Sequence, residues 1–385
     1  MTEEYDPLAS VQAAGPPGTV SFNYGLPDPE TFPVDDLRRA VDQVLQERWG
    51  LALQYGPEQG YGPLIDYLRH KIERDEGLAL DRSRIMLTGG SAQTLDHLCL
   101  LFSRPGDVVL VEAPTYFETL RLFHDHGLRS VQIPIDEGGL QLDALAARLE
   151  ALTRTGQRPR FLYVIPSFQN PSGITLAADR RQPLLDLIRD YDLWVLEDDV
   201  YRDLAWDGSP PPSLFALDGG EQVLRIGSFS KILAPGLRLG WLLASPNNIE
   251  RVVNSGLRLM GGGANPFIAN VVGTYCQLGL LEPHIERLNQ VYQRRRDVML
   301  SALENHMPEG THWTHPGGGC FVWLTLPEPL QAAEVVKRAK REGVMVLAGD
   351  PFFAEMPTGQ HLRLAYSYVP AVQIAEGIEK LAQAL

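Results

Sequence analysis

The sequence predicts an α/β fold in which a mainly parallel sheet, covered by helices, forms a large domain beside a smaller α+β domain. Between about residues 80 and 245, short apolar runs alternate with segments of helical periodicity, a pattern typical of parallel sheets. Many of these runs end in Gly, Pro or polar clusters, as strands do where a sheet collects functional residues at its carboxyl edge. A chain of 385 residues is long enough for two domains that share one site.

Three segments make up the predicted domain organisation. Residues 1–45 form an N-terminal arm and part of the small domain, residues 46–284 the large domain, and residues 285–385 the small C-terminal domain. A long helical pattern from Leu278 to Ala302 crosses the second boundary, where a helix can link the two domains.

The individual elements follow from the spacing of apolar residues. Apolar residues three or four apart predict helices, and apolar runs bounded by Gly, Pro or polar residues predict buried strands. The predicted helices are 37–51, 91–102, 142–152, 249–260 and 278–302. The predicted strands are 84–88, 107–112, 131–134, 161–166, 193–198, 223–226, 239–243 and 361–367.

Composition excludes several classes of function. The net charge is −14 and no long basic run occurs, so we expect no nucleic-acid partner. We expect no membrane partner either, because no apolar run approaches the roughly 20 residues that span a bilayer. The three cysteines, Cys99, Cys276 and Cys320, lack metal-ligand spacing, and the acidic N-terminus lacks a signal-peptide core. These features predict a cytoplasmic protein without a metal site.

A lysine on a Gly- and Ser-rich turn between two apolar runs is the central motif. Lys231 stands in Gly-Ser-Phe-Ser-Lys, with Arg238 further along the same turn. Such a setting suits a lysine that forms a Schiff base with a phosphorylated cofactor. The hydroxyls of Ser228 and Ser230 and the guanidinium of Arg238 would then hold the phosphate. The alternative is an ordinary strand-loop-strand with solvated polar residues.

This turn resembles the cofactor-lysine motif of the class I and II aminotransferases, which are pyridoxal 5′-phosphate (PLP) enzymes of fold type I. The similarity is to the branch that contains kynurenine and 2-aminoadipate (LysN-like) aminotransferases. It covers nearly the whole chain, because further motifs occur in the family's order. The resemblance implies a fold type I structure with PLP bound to Lys231.

Two more motifs resemble the family's phosphate contacts. Gly90, Ser91 and Ala92 join a predicted strand to a predicted helix, whose free amides suit phosphate. The family often has glutamine at the position of Ala92, so one side-chain contact is absent here. Tyr55, in Gln-Tyr-Gly, matches a tyrosine that reaches the cofactor phosphate of the neighbouring subunit. The resemblance therefore implies a homodimer with shared active sites, although a tyrosine packed at a loop base explains Tyr55 equally well.

Four positions match the family's contacts to the cofactor ring. Tyr116 would stack on the pyridine ring, and Asn170, in Gln-Asn-Pro-Ser-Gly, would contact the phenolic oxygen. Asp198 would face the pyridine nitrogen and keep it protonated, and Tyr201 would contact the phenolic oxygen. Asp199 would point elsewhere. The alternatives are an ordinary Asn-Pro turn and acids that cap the next segment.

The resemblance also assigns the substrate contacts. Arg363 lies among apolar residues of a predicted strand, where a buried guanidinium needs an anion, and it matches the arginine that binds the substrate α-carboxylate. Asn170 would assist it, and Gly25 would lie close to the substrate. The alternatives are a structural ion pair for Arg363 and a plain surface loop for Gly25. Cys320 is interpreted as a packing residue.

The implied reaction is ping-pong transfer of an α-amino group to a 2-oxo acid such as 2-oxoglutarate or pyruvate. The freed Lys231 amine would move the α-proton as general base and then acid. One alternative is another fold type I reaction, such as β-elimination by a C–S lyase. A second is the PLP-binding effector domain of a transcription regulator, which the early start of the cofactor fold and the acidic charge disfavour.

The N-terminal segment predicts a neutral amino donor, aromatic or branched aliphatic. Relatives that act on 2-aminoadipate place a cation from this segment on the distal carboxylate, but here no Arg or Lys precedes Arg38. The segment instead carries Tyr5, Phe22 and Tyr24, and a distal carboxylate buried without a cation is costly. The alternative is an arginine from elsewhere, such as Arg48 or one from the partner subunit.

Overall fold

The computed structural model describes residues 18–385, and Tyr5 and its acidic neighbours lie outside them. The helices are α1 Val34–Glu47, α2 Trp49–Ala52, α3 Gly62–Glu76, α4 Ser91–Phe102, α5 Phe117–Asp125, α6 Leu142–Arg154, α7 Ala178–Asp190, α8 Leu214–Asp218, α9 Pro246–Val253, α10 Gly256–Leu259, α11 Pro266–Gln277, α12 Leu281–His306, α13 Ala332–Arg341 and α14 Ala371–Gln383. The strands are β1 Val20–Ser21, β2 Ile85–Thr88, β3 Val108–Ala113, β4 Arg129–Asp136, β5 Gly139–Leu140, β6 Pro159–Val164, β7 Trp194–Asp198, β8 Val223–Ser228, β9 Gly240–Leu243, β10 His312–Trp313, β11 Phe321–Thr325, β12 Val344–Met345, β13 Leu347–Ala348 and β14 His361–Ala365.

Eight strands form the large sheet, in the order β2-β9-β8-β7-β6-β3-β4-β5. The five central strands, from β8 to β4, are parallel, whereas β9 and β5 run antiparallel to their neighbours. All six residues of β8 and nearly all of β3 and β7 are buried, as expected for strands covered on both faces. The predicted α/β class with a mainly parallel sheet is confirmed.

One edge of this sheet collects the predicted site residues. Strand β2 is antiparallel to β9, which is antiparallel to β8, so β2 points the same way as the parallel strands. The carboxyl ends of β2, β3, β6, β7 and β8 therefore share an edge. The segments that follow them carry Gly90, Tyr116, Asn170, Asp198 and Lys231. A parallel sheet thus brings together residues that are far apart in sequence.

The smaller sheet is antiparallel, in the order β10-β11-β14-β13. The N-terminal strand β1 pairs with β12 instead of joining the large sheet, and the Ala365 amide donates to the Phe22 carbonyl at 2.9 Å. Phe22 is completely buried, and a Cβ placed on Gly377 would meet its ring at 2.7 Å. Phe22 is therefore a core residue, and the prediction that it offers apolar surface to a substrate is wrong.

Two predicted helices have different bounds from those expected. The segment 249–260 forms two helices, α9 and α10, which are separated at Asn254 and Ser255. Ser255 occupies the N-cap position of α10, and its hydroxyl contacts His97 Nε2 at 2.9 Å. The segment 37–51 likewise divides into α1 and α2 at Arg48, whose φ of −138° is not helical. Helix α12 spans 26 residues and is not interrupted by Pro283. This proline lies in the first turn, where its missing N–H costs no helical hydrogen bond.

Helix α12 crosses the position proposed for the second domain boundary, and the boundaries themselves remain a prediction. Within residues 18–385, no helix combines the length and apolar character needed to cross a membrane. The same residues contain no cluster of three or more His, Cys, Asp or Glu side chains arranged to hold a metal ion.

A buried ion pair network fastens the central sheet to α3. Arg225 on β8 lies 2.6 Å from a Glu76 carboxylate oxygen and 2.9 Å from an Asp199 oxygen, and all three side chains are almost fully buried. Burial pushes the pKa of Glu76 upward, but Arg225 and Arg202 outweigh it and lower that pKa to about 2. Arg225 is the nearer cation to both carboxylates, and Arg202 lies 3.5 Å from Glu76 and 3.7 Å from Asp199.

We predict that Arg225→Met lowers the free energy of unfolding by about 3 to 5 kcal/mol, because two buried carboxylates lose their nearest cation and keep only the more distant Arg202. Urea unfolding followed by circular dichroism measures the change. The matched control is Arg38→Met, which breaks an exposed 2.7 Å pair with Asp35 and should change stability by no more than about 1 kcal/mol. Equal effects of the two substitutions would contradict the prediction.

Candidate active site

Lys231 lies in the turn that follows β8, facing the loop that precedes α1. Its Nζ donates a 2.8 Å hydrogen bond to the Gly25 carbonyl and lies 5.7 Å from the centre of the Tyr201 ring. Burial lowers the pKa of the Lys231 ammonium, because removal from water penalises the charged form. A neutral amine is the nucleophilic form that a Schiff-base lysine requires.

The amino end of α4 and the side chain of Arg238 form an anion cradle. Gly90 caps α4 with φ 95° and ψ 168°, and a Cβ placed there would lie 3.0 Å from Arg238 Nη2. The first amides of α4, including those of Ser91 and Ala92, have no acceptor within the helix. The Ser228 hydroxyl donates to the Ser230 hydroxyl at 2.9 Å, on the strand and turn that lead to Lys231. Free amides beside a guanidinium suit a phosphate.

Asp198 is buried at the end of β7 with one oxygen paired and one free. The Tyr163 hydroxyl donates to Oδ2 at 2.8 Å, whereas Oδ1 is buried without a hydrogen-bond partner among the described residues. Burial raises the pKa of Asp198 to about 6, although the Tyr163 hydrogen bond opposes the increase. An unpartnered buried carboxylate oxygen calls for a cationic or N–H donor, which a protonated pyridine supplies.

Asp199 points away from Asp198, as expected. Its Oδ1 accepts a 2.6 Å hydrogen bond from the Ser167 hydroxyl, and its Oδ2 lies beside Arg225. The paired oxygen of Asp198 faces Tyr163 on the neighbouring strand β6. The two adjacent carboxylates therefore have separate surroundings.

Arg363 on β14 and Asn170 meet across the two sheets. Arg363 Nη1 donates to Asn170 Oδ1 at 3.0 Å, and Nη2 donates to the Asn23 carbonyl. The guanidinium carbon lies 4.6 Å from the Phe321 ring centre and 5.0 Å from that of Phe352. Within residues 18–385 no carboxylate pairs with it, and its Nε has no acceptor. Burial lowers the pKa of Arg363 to about 10, because removal from water penalises the charged guanidinium.

Three aromatic residues surround the space between Lys231 and Arg363. Tyr201 is buried, and its ring packs edge-on against that of Phe321 with the ring centres 5.9 Å apart. A Cβ atom placed on Gly25 would lie 2.2 Å from the Phe321 ring, so only glycine fits there. Tyr116 precedes α5, and its hydroxyl donates to Glu118. Phe321 was not among the predicted site residues, and the only signal for it in the sequence is the run of three glycines at 317–319 shortly before it.

Tyr55 is the one predicted site residue that lies apart from the others. Its side chain is 83% exposed, and it packs beside Gly261 in a groove of about 500 Å³ between the loops 52–58 and 258–267. No contact among the described residues links Tyr55 to Lys231. This position agrees with a residue that serves another subunit.

The residues present fit PLP on three counts: an anion cradle at α4, an unpartnered carboxylate oxygen on Asp198, and a lysine of lowered pKa between them. Together with the sheet topology, they define a fold type I PLP-dependent enzyme. Residues 20–381 match the family described as aminotransferase class I and II. The chain belongs to this family, and it is a PLP-dependent aminotransferase.

Individual relatives agree with this placement. The chain is 39% identical to aromatic-amino-acid aminotransferase 1 of Thermococcus litoralis, over 95% of this chain and 88% of the relative. It is 38% identical to 2-aminoadipate transaminase of Thermus thermophilus, over 96% and 90%. Among solved structures, kynurenine aminotransferase of Pyrococcus horikoshii, in complex with PMP, has a TM-score of 0.91 at 36% identity, covering 99% and 96%. The predicted family and cofactor are confirmed.

We predict that Gly90→Ala raises the dissociation constant of PLP about tenfold. The backbone conformation of Gly90 costs a residue other than glycine about 1 to 3 kcal/mol, and the added methyl group would come too close to the Arg238 side chain. Absorbance titration of the apoenzyme with PLP measures the constant. Gly236→Ala is the matched control, because its Cβ would meet nothing within 4 Å, and its φ is not positive. A Gly90 variant with unchanged affinity would contradict the cradle.

Proposed function

We propose that this aminotransferase moves the α-amino group of a neutral amino acid, aromatic or branched aliphatic, to a 2-oxo acid such as 2-oxoglutarate or pyruvate, by a ping-pong mechanism. The observation that carries the proposal is the buried Arg363, which lies against two aromatic rings and has no anionic partner among residues 18–385. The names of the relatives include an aromatic and a 2-aminoadipate enzyme, so they leave the donor open.

Arg363 and Asn170 would bind the substrate α-carboxylate. The guanidinium is planar and can pair with both carboxylate oxygens, and its free Nε is one donor for them. Asn170 holds the guanidinium in place through its 3.0 Å hydrogen bond. A carboxylate at this position would also supply the negative charge that the buried arginine lacks.

Lys231 would perform the proton transfer. When bound, PLP supplies an electron-withdrawing pyridinium ring that weakens the bond from the substrate α-carbon to its proton. The lowered pKa of Lys231 favours the neutral amine, which can accept that proton and return it as an ammonium. Asp198 would face the pyridine nitrogen, Tyr201 the phenolic oxygen and Tyr116 the ring face. Ser228, Ser230, Arg238 and the α4 amides would hold the phosphate.

The donor side chain would meet a neutral surface. From residue 18 to Arg38 the chain carries no Arg or Lys. Arg38 itself pairs with Asp35 at 2.7 Å, and Arg48 donates to the Tyr61 hydroxyl at 2.6 Å. Arg38 therefore already pairs with an acid, whereas Arg48 contacts only a neutral hydroxyl and remains the alternative cation for a distal carboxylate. Apolar side chains gain about 25 cal/mol for each Å² that they bury.

The active enzyme would be a homodimer in which Tyr55 of each subunit contacts the cofactor phosphate of the other. Tyr55 closely follows the exposed apolar side chains Trp49, Leu51 and Leu53 in the sequence, and it packs beside Gly261, the neighbour of the exposed Met260. Large exposed apolar surfaces of this kind mark sites of protein association. A second copy of the chain would cover these residues and bring Tyr55 to the α4 cradle.

We predict that kcat/KM for leucine, phenylalanine and kynurenine exceeds that for 2-aminoadipate by about tenfold or more with one common acceptor, because an unpaired distal carboxylate is costly to bury. Coupled assays of each donor measure the ratio. Arg363→Lys is the matched control: it should lower kcat/KM for all donors by similar factors, since the α-carboxylate is common to them. A preference for 2-aminoadipate would show that a cation from elsewhere, such as the partner subunit, fills the role.

We predict that inactive subunits complement each other across the dimer. Tyr55→Phe and Lys231→Ala homodimers should each be impaired, whereas a hybrid of the two contains one intact site and one site with both lesions. Tagged hybrids purified by tandem affinity should therefore show about half the wild-type activity. If Tyr55 acts within its own subunit, the hybrid will instead show no more activity than the Tyr55→Phe homodimer.

A further inference from the structure

Tyr163 lies on β6, beside the strand that carries Asp198. The two strands are parallel neighbours, with Tyr163 opposite Leu196, and the Tyr163 hydroxyl reaches Asp198 Oδ2 at 2.8 Å. The Tyr163 side chain has no exposed surface, and its ring packs edge-on against Phe123 at 5.6 Å. The hydrogen bond is therefore held in place by packing on a rigid strand.

Thr119 on α5 completes a row of three buried groups. Its hydroxyl donates to the Tyr163 oxygen at 3.3 Å, and both residues are buried. The Tyr163 oxygen accepts the hydrogen bond from Thr119, and the Tyr163 hydroxyl donates its own proton to Asp198 Oδ2. Burial raises the pKa of Tyr163 well above its usual value, so the phenol stays protonated and remains a donor.

We infer that Tyr163 is a positioning residue that decides on which side the proton between Asp198 and the cofactor's pyridine nitrogen resides. The inference rests on the proposed function, which places Asp198 Oδ1 against that nitrogen. A hydrogen bond donated to a carboxylate stabilises its ionised form. With Oδ2 bound to Tyr163, the proton is favoured on the nitrogen, and Oδ1 is oriented toward it. Without that bond, the buried carboxyl competes for the proton.

A purely structural role for Tyr163 makes a different prediction. In that case the hydroxyl only needs an acceptor in the core, and its removal changes stability but not the protonation of the cofactor. The Phe123 contact would survive the replacement of tyrosine by phenylalanine, so the two roles are separable.

The test is the ¹⁵N chemical shift of the pyridine nitrogen in holoenzyme loaded with ¹⁵N-labelled PLP. Tyr163→Phe should shift the proton equilibrium about tenfold toward the carboxyl, moving the signal toward that of neutral pyridine. Thr119→Val should move it less, in the same direction. Asp198→Asn should give the neutral signal, and adding Tyr163→Phe to it should produce no further change.

Controls separate the inference from its premise. Tyr275→Phe removes another fully buried hydroxyl, one without a hydrogen-bond partner, and should leave the ¹⁵N signal unchanged. An unchanged signal in Asp198→Asn would overturn the proposed placement of Asp198. A shifted signal in Asp198→Asn with unchanged signals in Tyr163→Phe and Thr119→Val would overturn only the role of Tyr163. If Tyr163→Phe fails to fold, Thr119→Val decides the question alone.

Discussion

A carboxylate buried at the carboxyl edge of the large sheet is the constraint on which the active site depends. Asp198 lies where water cannot solvate it, and its pKa is raised to about 6 because burial outweighs the opposing Tyr163 hydrogen bond. The Tyr163 hydrogen bond compensates one oxygen, and the other oxygen has no hydrogen-bond partner among the described residues. The parallel strands supply this geometry, because their aligned ends hold Tyr163, Asp198 and Lys231 close together on rigid backbone.

The pleat of β7 explains how three consecutive acids serve different purposes. Side chains of a strand alternate between its faces, so Glu197 and Asp198 lie on opposite faces of β7. Asp199 follows the strand and lies beside Arg225, on the side of Glu197. Glu197 accepts hydrogen bonds from the Leu214 and Phe215 amides at 2.7 and 2.9 Å, and Asp199 pairs with Arg225. Two of the acids therefore stabilise the sheet and its helices, and only Asp198 is available to a ligand.

The substrate end of the site depends on a contact between the two sheets. Arg363 belongs to the small antiparallel sheet, Asn170 follows β6 of the large sheet, and Asn23 comes from the segment before α1. Burial of the guanidinium between aromatic rings makes its positive charge costly until an anion binds. A carboxylate substrate would therefore bind where the large sheet, the small sheet and the N-terminal segment meet, with Lys231 close by through Gly25.

The sequence by itself determined the class of fold, most strand and helix positions, and the residue types of the site, because apolar periodicity and Gly- or Pro-rich turns are local signals. It also indicated the separate orientation of Asp199. Only the tertiary structure showed that Phe22 is buried in the core, that Arg363 has no carboxylate partner within residues 18–385, and that Tyr163 contacts Asp198. These facts depend on which side chains meet across strands and domains, and pairing between residues 35 positions apart or more leaves no trace in local spacing.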